Sequence, residues 1–348
     1  MPAIDPVFIV QIALIVVIFH ALLLSAAGMV WAERKVAARL QQRFGPTMTG
    51  WAGLLQPFAD VFKLFFKEEL RPKASDAALF YIAPVISAMT AFLAFCVVPF
   101  GPPTTLFGLL KEPVPLYVAD VPVAMLVVFS VASMGVYGIV LAGWSSNSKY
   151  SLLGGLRSSA QMISYELSYG MALAAVLLVG NSLSLQQIVN AQAGAWHLFG
   201  VPVAPHWFLF VQPVGFFIFM TAGIAETNRA PFDFPEAEQE LVAGYHTEYS
   251  SMSFALFFLA EYVNMVTVSA VATNLYLGGW HLPPLPEWLG LVWWLGKLSV
   301  LLFFYLWTRW TLPRYRYDQL MQFGWKFLLP LSAVNLLATA AGVLYFGL

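Results

Sequence analysis

Cysteine is all but missing from this chain: Cys96 stands alone. A lone thiol forms no internal disulfide, and without a cysteine cluster nothing holds iron and sulfur. Cys96 lies in an apolar run and reads as a buried structural residue rather than a reactive one. Histidine is nearly as thin. Of the five in the sequence only His20 falls well inside an apolar run, so helix pairs suited to axial haem ligation are excluded and no metal site is expected. No G-x-G-x-x-G or P-loop pattern follows a plausible strand, so no nucleotide site is visible. Charge is scarce too: 10% of residues are charged against 60% apolar. With a mean hydropathy of +0.75, this excludes an ordinary soluble domain. There is no low-complexity tract or obvious repeat. A cleaved signal peptide is not expected either, since MPAID carries no basic residue and the first apolar run is too long.

What the chain does have is length in its apolar runs. Stretches of about 20 apolar residues cross a hydrocarbon core of ~30 Å as helices. Eight are expected, at residues 7–32, 79–99, 121–143, 158–180, 207–225, 254–277, 288–310 and 325–348. They do not alternate in ~10-residue segments, as barrel strands do. The expected fold class is all-α: a polytopic membrane helix bundle of about eight transmembrane helices, one membrane domain over residues 1–348. An even number of spans puts both termini on one side. Fifteen of the seventeen Lys and Arg residues fall in the odd-numbered connections and their helix ends, while Lys111 lies in an even one and Lys297 inside a run. The positive-inside rule therefore places the odd connections in the cytoplasm and both termini outside.

The first connection opens with ERKVAARLQQRFGPTMTG (33–50), a basic stretch ending in a Gly-Pro turn. In residues 54–68 that follow, Leu54, Leu55, Phe58, Phe62, Phe65 and Phe66 recur at helical spacing, with Gln56, Asp60, Lys63 and Lys67 on another face. The segment is too short and too charged to span. It is expected as an amphipathic helix at the membrane surface, with Pro57 in its first turn. The blander alternative is a plain loop anchor with Asp60 and Lys63 solvated.

Charge also stands where apolar runs should exclude it. Glu166 lies about eight residues into the fourth run, Glu261 about seven into the sixth and Lys297 about nine into the seventh. Glu226 closes the fifth run, and Glu248 precedes the sixth. Each such group costs ~2.5–3.5 kcal/mol at a bilayer centre unless it is paired or hydrated. A structural ion pair accounts for one of them, Lys297 with an acid for example, but the buried acids outnumber the bases. A row of carboxylates around a polar cavity can pass protons, and that is the favoured reading. The connection over residues 226–253 concentrates the acids: six of the eighteen lie between Glu226 and Glu248, against a single Arg229. Pro231 and Pro235 stiffen it, and Phe232 and Phe234 alternate with charge. A loop folded inward to line a cleft needs both features, and Arg229 is expected to order it by pairing with an acid. A solvated acidic face that docks a basic partner is the alternative, and the two can coexist.

Four stretches carry a family resemblance: ERKVAARLQQRFGP, GLLQPFADVFKLFFKE, AETNRAPFDFPEAEQELVAGYHTEYSSMSFALFFLAEY and PRYRYDQLMQFGWKFLLPL. Together they resemble the quinone-site membrane subunit of NADH–quinone oxidoreductase, respiratory complex I, over essentially the whole chain. The resemblance implies a membrane subunit against which the peripheral redox arm docks on the cytoplasmic side, beside small and antiporter-like membrane subunits. It implies quinone as the substrate, entering from the lipid bilayer through a tunnel walled in part by the surface helix. By that resemblance Arg34, Asp60, Arg229, Phe232, Asp233, Glu236 and Glu238 belong to the quinone cavity, with Arg43 near its entrance or the docking surface. Glu166, Glu226, Glu248 and Glu261 match the family's chain of buried carboxylates, and Lys297 joins that path or serves as a structural counter-ion. NADH, FMN and iron–sulfur clusters belong to partner subunits, so this chain has no catalytic residue or redox cofactor of its own and no nucleic-acid partner. The cell inner membrane is the expected location, with the mitochondrial inner membrane as the alternative. Two other functions stand beside this one: the matching subunit of an ion-translocating hydrogenase or ferredoxin-linked complex, and a stand-alone proton or cation transporter. The transporter lacks a visible inverted repeat or paired broken spans.

Overall fold

The computed structural model describes residues 6–105, 113–198, 201–234, 242–282 and 286–346. Among them, seven helices are long and apolar enough to cross a membrane: Val10–Leu40, Ala77–Phe95, Ala124–Ser145, Lys149–Gly180, Ser251–Tyr276, Gly290–Thr311 and Tyr317–Tyr345. The chain is a polytopic, multi-pass helical membrane protein. The fifth expected span, 207–225, is broken. It forms a short Phe208–Val211 helix and then Pro213–Glu226, with Gln212 between them at φ −127 and ψ 53. Pro213 has no N–H to continue the first piece and instead starts the second, where a missing donor costs nothing. Side chains bridge the break. Gln212 Nε2 donates to Thr339 Oγ1 at 2.6 Å, and Asn335 Nδ2 donates to Gln212 Oε1 at 3.1 Å.

Several helices outrun the apolar stretches that announce them. The first helix, Pro6–Leu40, continues eight residues past 32 through ERKVAARL. These residues are strong helix formers despite their charge, and the helix stops only where Gln42 turns to φ 56. The basic stretch expected as a connection is therefore helical at its start, and it carries Glu33 and Arg34 on successive positions, facing different neighbours. The fourth expected span likewise begins at Lys149 rather than 158 and ends where Asn181 caps it in the left-handed conformation. The last span starts at Tyr317, and Phe323–Leu328 within it winds as a π-helix. That wider turn lies just before Pro330, which cannot close the ordinary ladder. The connection 180–206 holds the Leu185–Ala191 helix and an antiparallel strand pair, Ala195–Leu198 with Val201–Pro205.

Ser251–Tyr276 is the central helix. Nearly all of it beyond Ala260 is buried, packed by the first helix and by Ala77–Phe95, Pro213–Glu226 and Gly290–Thr311. A helix covered on every side must find partners for polar groups on every face, because lipid supplies none. Close approach elsewhere uses small residues. At Gly154 an added Cβ would lie 2.7 Å from the Tyr245 amide nitrogen. The bare backbone there lets the turn Gly244–His246 sit directly on the Lys149–Gly180 helix and aim Tyr245 inward.

Candidate functional site

A charge-balanced cluster lies at the meeting of the first, central and Gly290–Thr311 helices with the turn after Glu226. Arg229 is 3% exposed. Its Nη2 lies 3.2 Å from Glu261 Oε2, its Nη1 lies 3.8 Å from Glu33 Oε2, and its guanidinium sits 4.3 Å from the Tyr262 ring centroid. Glu33 also pairs with Arg309, and the Tyr262 hydroxyl donates to it at 2.8 Å. The Tyr245 hydroxyl donates to Glu261 at 3.4 Å. Glu33 and Glu261 are thus each matched by an arginine, an arrangement that offsets the cost of burying four charges together. Arg229 pairs with acids, as its place in the sequence leads one to expect, and both of these lie on helices outside the loop.

The acids beyond this cluster are held differently. Glu226 and Glu261 line one cavity of about 40 Å³, together with Thr90, Asn228, Tyr245 and Asn264. That volume admits a few waters, and its walls carry the polar partners water needs. A second cavity of about 20 Å³ shares Glu226, Thr227 and Asn264. Glu226 Oε2 is buried and has no hydrogen-bond partner among the described residues. Glu166 lies within electrostatic reach of Glu226 and accepts from the Ser133 hydroxyl. No arginine or lysine pairs with either acid among the described residues. A carboxyl group beside a small polar cavity and without a fixed counter-ion can take up and release a proton without first breaking an ion pair.

The first helix links these groups to the surface segment. Arg34, adjacent in sequence to Glu33, pairs with Asp60 at 2.7 Å, and Lys63 stands 3.9 Å from the same carboxylate. Asp60 belongs to the Gln56–Phe66 helix, with Pro57 in its first turn. Gln56 Nε2 donates to Asp60 at 3.3 Å, and Trp31 Nε1 donates to Ala52 O at 3.2 Å. The far end of this helix docks on the central helix, where Ser251 Oγ donates to Leu64 O and Lys67 O, each at 2.9 Å.

The loop aromatics turn inward. Phe232 and Phe234 are both buried. Phe232 lies parallel to Tyr315, with centroids 5.8 Å apart, and Phe234 meets Tyr317 edge-on. Gln161 pins the backbone by donating to Ala225 O and Phe232 O, both at 2.8 Å. Arg314 donates to the Asp233 carbonyl. Pro235, Glu236 and Glu238 lie outside the described residues. Arg43 donates to Gln41 at 2.7 Å at the exposed end of the first helix.

Two expected members do not join the carboxylates. Glu248 is half-buried in the turn before Ser251 and has no ion pair among the described residues. The neighbouring Tyr249 stacks on Phe80 and donates to its carbonyl at 3.1 Å. Burial pushes the Tyr249 phenol up to about 12, with the Ser145 hydroxyl opposing. Lys297 pairs with no acid among the described residues. Its ammonium donates to the carbonyls of Leu277, Gly279 and His281 at 2.7–2.8 Å and lies over Trp207. From Glu261 to Leu277 the central helix runs about 24 Å at 1.5 Å per residue. Lys297 therefore caps the far end of that helix, well away from the paired cluster. Glu33 and Arg309 are the members that reasoning from sequence misses. Glu33 is the one acid inside a basic stretch, and that isolation is the available signal.

Fold and site define a class: a multi-pass membrane protein with a buried, charge-balanced ion cluster beside less constrained carboxylates. Residues 12–340 match the family profile described as NADH dehydrogenase. The chain is 51% identical over 344 residues to an H-type subunit of NADH-quinone oxidoreductase from Geobacter sulfurreducens, covering 95% of this chain and 94% of that protein. It is 52% identical over 342 residues to an H-type subunit from Geobacter metallireducens, covering 95% of each. It is 49% identical over 340 residues to another from Syntrophobacter fumaroxidans, covering 98% of each. The chain belongs to the NADH dehydrogenase family.

Proposed function

We propose that this chain is the quinone-site membrane subunit of a proton-translocating NADH–quinone oxidoreductase, forming the quinone cavity with a peripheral arm and coupling quinone reduction to proton movement. One observation carries the coupling part. A run of charged contacts leads from Asp60 and Arg34, through adjacent Glu33, to Arg229, Arg309 and Glu261. It continues across the shared cavity to Glu226 and on to Glu166. A charge change at the surface helix is felt along such a path, because separated charges in a low-dielectric interior interact strongly.

In this reading the Gln56–Phe66 helix lies at the membrane surface and walls the quinone tunnel. Arg34, Asp60, Arg229, Phe232, Asp233, Glu236 and Glu238 contribute to the cavity. Glu226 and Glu166 carry the proton equivalents, Glu261 relays charge to them through its pair with Arg229, and Glu248 serves the cytoplasmic end. Lys297 holds the fold instead. Quinone is the substrate; NADH, FMN and iron–sulfur clusters reside in partner subunits, and small and antiporter-like membrane subunits lie alongside. Both termini lie on the periplasmic side of a bacterial inner membrane, since the odd connections hold nearly all the positive charge.

The experiment is to solubilise the assembly gently, identify the co-purifying chains and assay NADH-driven quinone reduction. Peripheral redox subunits and inhibition by quinone-site ligands are expected. An assembly that lacks such subunits, or whose turnover ignores these inhibitors, would sink the proposal.

A further inference from the structure

The Gln56–Phe66 helix presents an open face: Phe58, Phe62, Phe65 and Phe66 are all exposed. It packs chiefly on the first and the central helix. Its first half is tied to the first helix by Asp60 with Arg34, and the turn before it by Ala52 with Trp31. Its far end meets three serines at the start of the central helix. Ser251 Oγ lies 2.9 Å from both Leu64 O and Lys67 O. The backbone at Lys67 is extended, so the helix ends there, and the carbonyls of a last turn have no N–H of their own helix to accept from. One hydroxyl of another helix supplies that donor. Beside it Ser250 Oγ accepts from the Leu70 amide at 3.0 Å, and the Ser253 hydroxyl donates to the Glu69 carboxylate.

Ser251 is also singular in its backbone. It is 4% exposed and stands at φ 53, a left-handed conformation that a residue with a side chain rarely adopts. The unfavourable turn falls on the residue whose hydroxyl caps the surface helix, and strain of this kind persists only where surrounding contacts hold it. Ten residues on, about 15 Å along the central helix at 1.5 Å per residue, comes Glu261, paired with Arg229. From the first helix Glu33, adjacent to Arg34, pairs with the same arginine. The surface helix thus closes a ring with two of the helices that hold the paired cluster.

We infer that Ser251 is a positioning residue for the surface helix: its hydroxyl caps that helix and fixes its far end against the central helix, as Arg34 fixes its first half against the first. The inference rests on reading the surface helix as a wall of the quinone tunnel. A wall fixed along one half alone can swing, and the tunnel then fits quinone less well. The redox groups elsewhere in the assembly are untouched, so the loss falls on KM and leaves kcat in place.

The test is NADH–quinone kinetics across quinone concentration in the intact complex, with subunit content as the check on assembly. Ser251→Ala removes the hydroxyl; Ser251→Gly removes it and at the same time relieves the left-handed turn. Both should raise the apparent KM about fivefold at unchanged kcat, the effect of about one hydrogen bond. Ser250→Ala, which takes away only the acceptor for Leu70, should raise it about twofold. Ser332→Ala, at a buried serine bonded to Leu329 O of its own helix, should leave KM where it is. An unmoved KM in either Ser251 variant, a fall in kcat in its place, or the same rise from Ser332→Ala overturns the inference. So does loss of assembly in both Ser251 variants, which would make Ser251 a residue of the fold alone. Asp60→Asn, on the first half of the same helix, separates the two readings. If it raises KM and the Ser251 variants do not, only this inference fails. If none of these variants moves KM in assembled complex, the tunnel-wall reading fails and takes the inference with it.

Discussion

Two groups of acids within the helix bundle are treated in opposite ways in this protein. Glu33 and Glu261 are locked by Arg229 and Arg309 and receive further hydrogen bonds from Tyr262 and Tyr245. Glu226 lines two small polar cavities, Glu166 accepts from the Ser133 hydroxyl, and neither has a counter-ion among the described residues. Removing one partner from a locked pair strands a buried charge. Removing the charge from an acid with no fixed partner strands nothing. The first group should dominate assembly while relaying charge through fixed pairs, the second should carry the protons, and the two roles can be separated by single substitutions.

The largest effect is expected from Arg229→Met, which leaves both Glu33 and Glu261 short of positive charge. A loss of about 3–5 kcal/mol is expected, read as failure of the chain to assemble or a sharp fall in thermal stability of the complex. Glu166→Gln should cost less than about 1 kcal/mol of stability, since no ion pair is broken, while reducing coupled quinone reduction and proton uptake together. Lys297→Met should fall between these on stability and have no effect on coupling. Three carbonyls lose their donor, at about 1–3 kcal/mol, but the site lies at the opposite end of the central helix. Asp60→Asn should be the mildest for stability, about 0.5 kcal/mol or less, because its partner Arg34 is half-exposed. Its effect should appear in the apparent KM for quinone. A severe assembly defect from Glu166→Gln, or a coupling defect from Lys297→Met in assembled complex, would blur the separation.

Much of this contrast is legible in the sequence, for a simple reason. An acid within an apolar run, such as Glu166 or Glu261, is visible against its background. Glu33 is not, because it sits where hydrophobicity ends and the helix does not; a hydropathy boundary at 32 hides a helix that runs to Leu40. Arg309 enters a sequence reading only as part of a topological charge bias. Lys297 is visible but its partners are not, since backbone carbonyls carry no sequence signature. The break at Gln212–Pro213 is hidden the same way, in a run apolar enough to pass for one span. Tyr262 and Gln161 are ordinary residues in a membrane helix, and only three-dimensional packing reveals what they face.

The most direct test of the division of labour is Glu226→Gln in the complex reconstituted into liposomes, with quinone reduction and proton uptake measured together and subunit content checked. The change keeps size and hydrogen-bonding capacity while removing the titratable proton. Intact assembly with both activities falling together is the predicted result. Intact assembly with both activities persisting at their normal ratio would contradict it, and would assign the coupling role to the paired cluster instead.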